Sequence, residues 1–372
     1  MKNILYVSPF PHIGGGEISL LIILKNLDKK RFKVSLICYA EGLFVEKAKK
    51  LGIEVVIFKR DSLFSNFSIL WKLFRYIKKN NIHIMHVNCL DIRAGIAAWL
   101  ARVPFIGHLR VVFPFTWRDR LFVQLSRKVI AVSNAVVNAF CKESSGYMSK
   151  FVVIPNAIEI PGDITPARLK EEFRLSSDTK LVGAVGRIDT FKGYEYFIES
   201  ANIIKKEVPN VAFFIIGGVT HEEAEMYLNN LKRSVSKLGL SDSFFFTDFR
   251  EDILSVIAAL DILVVPSIEI RKAGGRVTEG FGRVAIEGMA AEVPVVASNV
   301  GGLPEIVEDN ISGMLVPPGN PNAIAEAVLA IFTDETKAKA LGEAGRRTIL
   351  ERFSLKKVIK EIEGVYERIL YR

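Results

Sequence analysis

The stretch NILYVSPFPHIGGGEISLLIILKNLDKKRFKVSLICYA, residues 3–40, carries the pattern that decides the fold. NILYVS is a strand-length apolar run that stops at Pro9, ISLLIILKNL has helical length and spacing, and KVSLICYA is a second apolar run. A helix between two buried strands implies a parallel pair joined by a crossover. The same alternation continues outward through a helix around LFVEKAKKLG and a strand EVVIF. After residue 160 a second series begins, with KLVGAVG, VAFFIIGG, SFFFTDF, ILVVPS and VPVVAS each followed by a helical stretch or a loop. The chain therefore reads as α/β, with two doubly wound Rossmann-like domains. A length of 372 residues suits two domains better than one, and a 49% hydrophobic content is enough to fill both cores.

The boundary is expected in FVVIPNAIEIPGDITPARL, where Pro155, Pro161 and Pro166 interrupt any periodic element. This gives an N-terminal domain over 1–160, a second domain over 161–352 and a terminal segment over 353–372. In that last segment Leu355, Val358, Ile359, Ile362, Val365, Tyr366, Ile369 and Leu370 recur at helical spacing, which predicts an amphipathic helix.

Charge separates the two halves. Residues 1–160 carry 24 Lys and Arg against 10 Asp and Glu, a net +14, whereas the remainder carries 26 against 31, a net −5. A basic half implies an anionic partner such as a lipid surface or a phosphorylated acceptor. Nucleic acid is not expected, because no helix-turn-helix, zinc-finger or RNP pattern accompanies the charge. Cys38, Cys89 and Cys141 match neither a disulfide framework nor a zinc site and read as buried thiols of a reducing, cytoplasmic compartment. The N-terminal apolar run is too short for a signal-peptide core, and no stretch has the uninterrupted apolar length of a membrane span.

Ligands of open α/β sheets bind where strands end and helices begin, so the chemistry is sought in those loops. HIGGGEIS (12–19) follows the first strand, and Gly14, Gly15 and Gly16 allow backbone N–H groups to approach a ligand. VGRIDTFKGYEYF (185–197) places Arg187 and Lys192 ahead of a helix starting near Tyr194, a planar fork and a point charge suited to a diphosphate. EGFGRVAIE (279–287) sets Glu279 before a Gly-Phe-Gly turn and Glu287 on the second turn of the following helix. Helical side chains lean toward their own N-terminus, so both carboxylates can border one ligand. Carboxylates would repel a phosphate but accept hydrogen bonds from hydroxyls, and a sugar nucleotide carries both groups.

With these motifs the chain resembles the retaining glycosyltransferases of family 4, which have the GT-B fold. The resemblance runs over essentially the whole length. It rests on the EGFG-to-Glu motif, the glycine loop GGGE, AVSNA (131–135), VIPNAIE (153–159), GRIDTFKG (186–193), VVASNVGGLPEIV (295–307) and the final helix. It implies two domains facing each other across a cleft, with the final helix crossing back to the N-terminal domain. It further implies that Arg187 and Lys192 hold the donor diphosphate and Glu287 the ribose hydroxyls. Glu279, with the Phe281 and Gly282 backbone, would hold the transferred sugar, and Gly15 and Gly16 would approach the donor phosphate. His108 would contact the donor sugar or the acceptor. Glu279 is expected to orient the sugar and stabilise positive charge as the glycosidic bond breaks, not to act as a nucleophile.

The implied function is a retaining hexosyltransferase using a UDP- or GDP-linked sugar as donor and no cofactor. Its acceptor would be a glycan or a lipid-linked glycan in capsule, lipopolysaccharide or glycolipid synthesis. Rivals are a GT-B enzyme acting on a soluble acceptor or epimerising a sugar nucleotide, and a non-catalytic sugar-nucleotide-binding protein. No Asp-x-Asp pair occurs in the chain, so a metal-free mechanism is expected, with Arg187, Lys192 and helix N-termini at the leaving diphosphate.

Three departures from the family pattern stand out. Its His-Asp pair reads His108-Leu109-Arg110 here, its Pro-Asn-Gly reads Pro155-Asn156-Ala157, and EIRKAGGRVTEG (269–280) is longer and more basic than usual. SLFSNFSILWKLFRYIKKNN (62–81) mixes Phe64, Phe67, Trp71 and Phe74 with Lys72, Arg75, Lys78 and Lys79, and FPFTWRDRLF (113–122) repeats the theme. Such segments suit peripheral contact with an anionic membrane surface on the inner face of the plasma membrane.

Overall fold

The computed structural model describes residues 1–59, 65–142, 145–219, 222–272 and 275–371. Phe64 of the aromatic segment, and Ala273 and Gly274 of the basic insertion, lie outside the described residues. The chain divides into two compact units, Met1–Glu159 with Ser354–Arg372, and Ile160–Phe353.

In the first unit the strands are β1 (Lys2–Ser8), β2 (Phe32–Cys38), β3 (Glu54–Ile57), β4 (Ile84–Val87), β5 (Phe105–Leu109), β6 (Lys128–Ala131) and β7 (Phe151–Val153). They form one parallel sheet in the order β3-β2-β1-β4-β5-β6-β7. Order reverses beside β1, which places the topological switch point next to the loop carrying Gly14 to Gly16. Central strands are covered on both faces and therefore read as continuous apolar runs, as β1 does with Ile4 to Val7 fully buried.

The crossover helices begin at local signals. Helix Asn134–Cys141 starts at Ser133 of AVSNA, whose hydroxyl accepts a hydrogen bond from the Val136 N–H at 3.2 Å. Helix Ile92–Ala101 starts at Asp91, whose carboxylate accepts from the Arg93 N–H at 3.0 Å. Helix Trp117–Leu125 opens on a capping box of Thr116 and Asp119. The terminal helix Leu355–Leu370 belongs to this unit. It inserts Val358, Ile359, Ile362, Val365 and Tyr366 into the core that also holds Ile4, Tyr6, Leu36, Ile84, Ile106 and Ile130. Its remaining face is charged, which accounts for its apolar stripe.

The second unit contains β8 (Lys180–Val185), β9 (Val211–Ile216), β10 (Phe244–Thr247), β11 (Ile262–Val265), β12 (Ile270–Lys272), β13 (Gly275–Val277), β14 (Val295–Ser298) and β15 (Met314–Val316). Its main sheet is parallel in the order β10-β9-β8-β11-β14-β15, again reversing beside its first strand. The basic insertion forms the antiparallel ribbon β12–β13, a feature outside the doubly wound pattern. The free thiols Cys38 and Cys141 are buried, as the sequence suggested, while Cys89 is only partly so. Burial pushes the Cys38 thiol up to about 12 and also raises Cys89 and Cys141, so none is an activated thiolate.

Candidate functional site

In the second unit β8 ends at Val185, and the chain passes through Arg187 into a short turn, Thr190–Lys192, before helix Tyr194–Glu207. Gly193 joins turn to helix with φ +65°, and a Cβ there would stand 2.2 Å from the Pro266 carbonyl oxygen. Only glycine allows that approach, and it fixes Lys192 at the helix N-terminus. Tyr194 clamps the same turn by donating from its hydroxyl to the Gly186 carbonyl at 2.9 Å.

Lys192 Nζ donates to Glu279 Oε2 at 2.7 Å, and both side chains are largely sheltered, 15% and 13% exposed. Ser267 Oγ lies 3.5 Å from the same carboxylate oxygen. Arg187 is half exposed and 4.0 Å from Asp189 Oδ2, so it is only loosely tied within its loop.

Glu279 is positioned by a segment far along the chain. The Gly302 N–H donates to the Glu279 carbonyl at 3.0 Å. A Cβ on Gly301 would fall 2.0 Å from that carbonyl oxygen, and one on Gly302 would fall 2.5 Å from the Gly280 carbonyl oxygen. The two glycines of VVASNVGGLPEIV thus let one backbone lie directly on the Glu279–Phe281 turn. Gly282 caps helix Arg283–Ala290, and the Phe281 ring is buried edge-on to Phe353.

Glu287 is buried on that helix and paired with Arg283, Nε to Oε1 2.8 Å, one turn earlier. Burial raises its carboxyl above the usual range, while Arg283 and then Lys192 pull it back down. The fold therefore brings Lys192, Glu279 and Glu287 into one electrostatic group. Arg283 belongs to that group and was not singled out in the sequence, although its i,i+4 spacing to Glu287 was the available signal.

In the first unit Gly15 and Gly16 open helix Gly15–Asn26 directly after the β1 loop. Gly16 faces Arg110, whose Cδ would lie 3.3 Å from a Cβ placed there. Arg110 donates to Asn88 Oδ1 at 2.9 Å and Asn156 Oδ1 at 2.5 Å, so the residue that departs from the family pattern at 110 is tied to the asparagine beside the departure at Ala157.

His108 is fully enclosed at the end of β5. Its Nδ1 lies 3.2 Å from Arg110 Nη2 and 3.1 Å from His86 Nε2, and His86 Nδ1 lies 2.6 Å from the Tyr366 hydroxyl, which is bonded to the Tyr6 hydroxyl. A guanidinium can only donate, so His108 Nδ1 accepts and the ring proton sits on Nε2. His86 then donates from Nε2 and accepts at Nδ1 from Tyr366, which in turn accepts from Tyr6. His108 Nε2 is buried with no hydrogen-bond partner among the described residues. Burial, then the Arg110 charge, holds His86 down at about 3 and His108 well below the ordinary histidine value. Both rings are neutral at physiological pH, and His108 presents an N–H donor. His86 and Tyr366 were not legible as partners, since 280 residues separate them.

Comparison with known proteins places the fold and the family. Residues 13–160 match the family described as Glycosyltransferase Family 4, and residues 167–348 match Glycosyl transferases group 1. The structure of Anabaena HepE in complex with UDP-glucose superposes with a TM-score of 0.86 at 25% identity, covering 99% of this chain and 100% of that one. The capsular polysaccharide biosynthesis glycosyltransferase CapM of Staphylococcus aureus is 26% identical, over 93% of each chain. A GDP-mannose-dependent alpha-(1-6)-phosphatidylinositol monomannoside mannosyltransferase of Mycolicibacterium smegmatis is 34% identical over 50% of this chain and 47% of its own. The fold is that of the GT-B enzymes. The chain belongs to the family 4 glycosyltransferases.

Proposed function

We propose that this glycosyltransferase moves a hexose from a nucleotide sugar to a glycan or lipid-linked acceptor, with retention of anomeric configuration. The observation that carries the reading is the sheltered Lys192–Glu279 pair beside buried Glu287, a cation for phosphate and two acceptors for hydroxyls in one place. Donor diphosphate entering at the N-terminus of helix Tyr194–Glu207 takes Lys192 from Glu279, and Arg187 swings in from its loose contact. Glu279 is then released to the sugar, and Glu287, held by Arg283, accepts from the ribose hydroxyls. His108, enclosed with its Nε2 proton, holds Arg110 and His86 in this scheme and does not meet a ligand oxygen.

Two cations and a helix N-terminus stabilise the leaving diphosphate without a divalent ion in this scheme. HepE has been crystallised with UDP-glucose and the mycobacterial relative is GDP-mannose-dependent, which supports a UDP- or GDP-linked donor. CapM acts in capsular polysaccharide biosynthesis, which supports a surface-glycan acceptor. Gly15 and Gly16 open helix Gly15–Asn26 of the first unit and offer backbone N–H groups to an anion there, and the basic surface of that unit takes the acceptor.

Membrane contact is supported by helix Ser65–Lys79. It buries Ile69, Leu73 and Ile77 but leaves Phe67 and Trp71 70% and 46% exposed, with Arg75 over the Trp71 ring. Trp117 is exposed as well. Among the described residues no helix is long and apolar enough to cross a membrane, so the contact proposed is peripheral.

The test is transfer from UDP- and GDP-hexoses to lipid-linked glycan acceptors, in chelator, with the anomeric proton of the product read by NMR. Transfer with the donor's configuration is expected. Inverted product, or strict dependence on an added divalent ion, contradicts the scheme.

A further inference from the structure

The first unit has a cavity of about 620 Å³ at the amino ends of its strands. Phe105, at the amino end of β5, lines it, while His108 is three residues along the same strand toward the carboxyl end. Arg102, Arg127, Lys128, Lys150 and Arg368 all line it, and no aspartate or glutamate does. Both lysine ammoniums are pinned into the wall. Lys150 donates to the Gln124 and Ser126 carbonyls at 2.9 and 2.6 Å, and Lys128 donates to the Ser149 carbonyl at 2.7 Å.

Like charges held together this way repel one another, and the Lys150 pKa is lowered first by burial and then by Arg127 and Lys128. The glycosyl-transfer chemistry uses none of these residues. A concave wall of one charge sign focuses its field on the interior and concentrates the opposite ion there. Arginine forks beside fixed ammoniums suit the oxygens of a phosphate ester. The rest of the lining adds an apolar side, with Val365 and Ile369 from the terminal helix and Trp99, which is 57% exposed. A basic floor beside an apolar wall fits a phosphate attached to a less polar group.

We propose that this cavity is a second anion site, distinct from the donor site, that binds a phosphate ester. The source is either the headgroup of an anionic phospholipid or a soluble phosphate ester. Because the terminal helix supplies Arg368, Val365 and Ile369, an occupant also ties that helix to the amino ends of β5, β6 and β7.

The full-length protein is tested by co-flotation with vesicles of phosphatidylglycerol or phosphatidylcholine, and by thermal shift with inorganic phosphate and glycerol 3-phosphate. The variants are Arg127→Gln/Lys128→Gln/Arg368→Gln, the single Arg127→Glu should the triple variant fold poorly, and Lys192→Ala to report phosphate at the donor site. Flotation only with the anionic vesicles, weakened by about fivefold per cation removed and unchanged in Lys192→Ala, identifies a lipid headgroup. A thermal shift with the soluble anions that survives Lys192→Ala but disappears in the cavity variants, without flotation, identifies a soluble ester. Wild-type behaviour of the cavity variants in both assays, or no response of the wild type to any of these probes, overturns the proposal.

Discussion

Lys192 stands between two carboxylates, bonded to Glu279 and acting on Glu287, and this makes it the residue on which the proposed donor binding turns. Removing it takes a fixed cation from the leaving diphosphate and leaves Glu279 without its partner. Lys192→Ala is expected to lower kcat/KM by about 100- to 1,000-fold, measured by steady-state transfer. Glu287→Ala should act mainly on the KM for donor; equal rates in both variants and the wild type refute these assignments. The enclosed histidines give a pH prediction. His86 and His108 have folded pKa values below the unfolded value of about 6.5, His86 near 3. A depressed histidine contributes stability that is full above its unfolded value and lost as pH falls below it. Stability should therefore decline by about 1.4 kcal/mol per pH unit for each ring from about pH 6.5 downward. Urea denaturation at several pH values measures this, and a flat or rising profile contradicts neutral enclosed rings. At this scale the sequence named Glu279, Glu287, Arg187 and Lys192 because short motifs carry them. It could not show Tyr366 meeting His86, or Arg110 meeting Asn156, because those contacts exist only once the sheet and the terminal helix have formed.

Elements explain why some of the motifs have the form they do. Gly301 and Gly302 lie under the Glu279–Phe281 turn, with Gly301 at φ +59° and no room for a Cβ. Gly301→Ala should displace the Glu279 carbonyl and reduce transfer, while donor-independent stability falls by about 1–3 kcal/mol. Wild-type kinetics with an unchanged melting temperature would show that the turn does not depend on this contact. The terminal helix is held by its apolar stripe, and Ile362, fully buried, is its central anchor. Ile362→Ala should cost about 2–5 kcal/mol by chemical denaturation, and a loss under 1 kcal/mol would mean the helix is not packed as described. Parallel strands and the terminal helix were legible because burial on two faces, or on one stripe, leaves a periodic apolar trace. The ribbon β12–β13 was not, since Arg271, Lys272 and Arg276 are solvated and its pairing buries little. The three-residue β15 lacked the length for a periodic signal.

Across the whole molecule the two halves differ in charge, +14 for residues 1–160 against −5 for the rest, while each unit repeats the same doubly wound sheet. A shared doubly wound design with opposite charge balance fits the proposed division of work, in which the basic unit takes an anionic acceptor and the other reads the donor. Ligand that binds only the folded state stabilises it by about 2.7 kcal/mol at a hundredfold excess over Kd. The most direct test is therefore thermal unfolding of wild type, Lys192→Ala and Glu287→Ala against UDP-, GDP- and ADP-hexoses in the absence of metal. A rise in melting temperature with a UDP- or GDP-sugar that is lost or reduced in both variants is the predicted result. No rise with any of the sugars, or an equal rise in all three proteins, contradicts a nucleotide sugar held by Lys192 and Glu287.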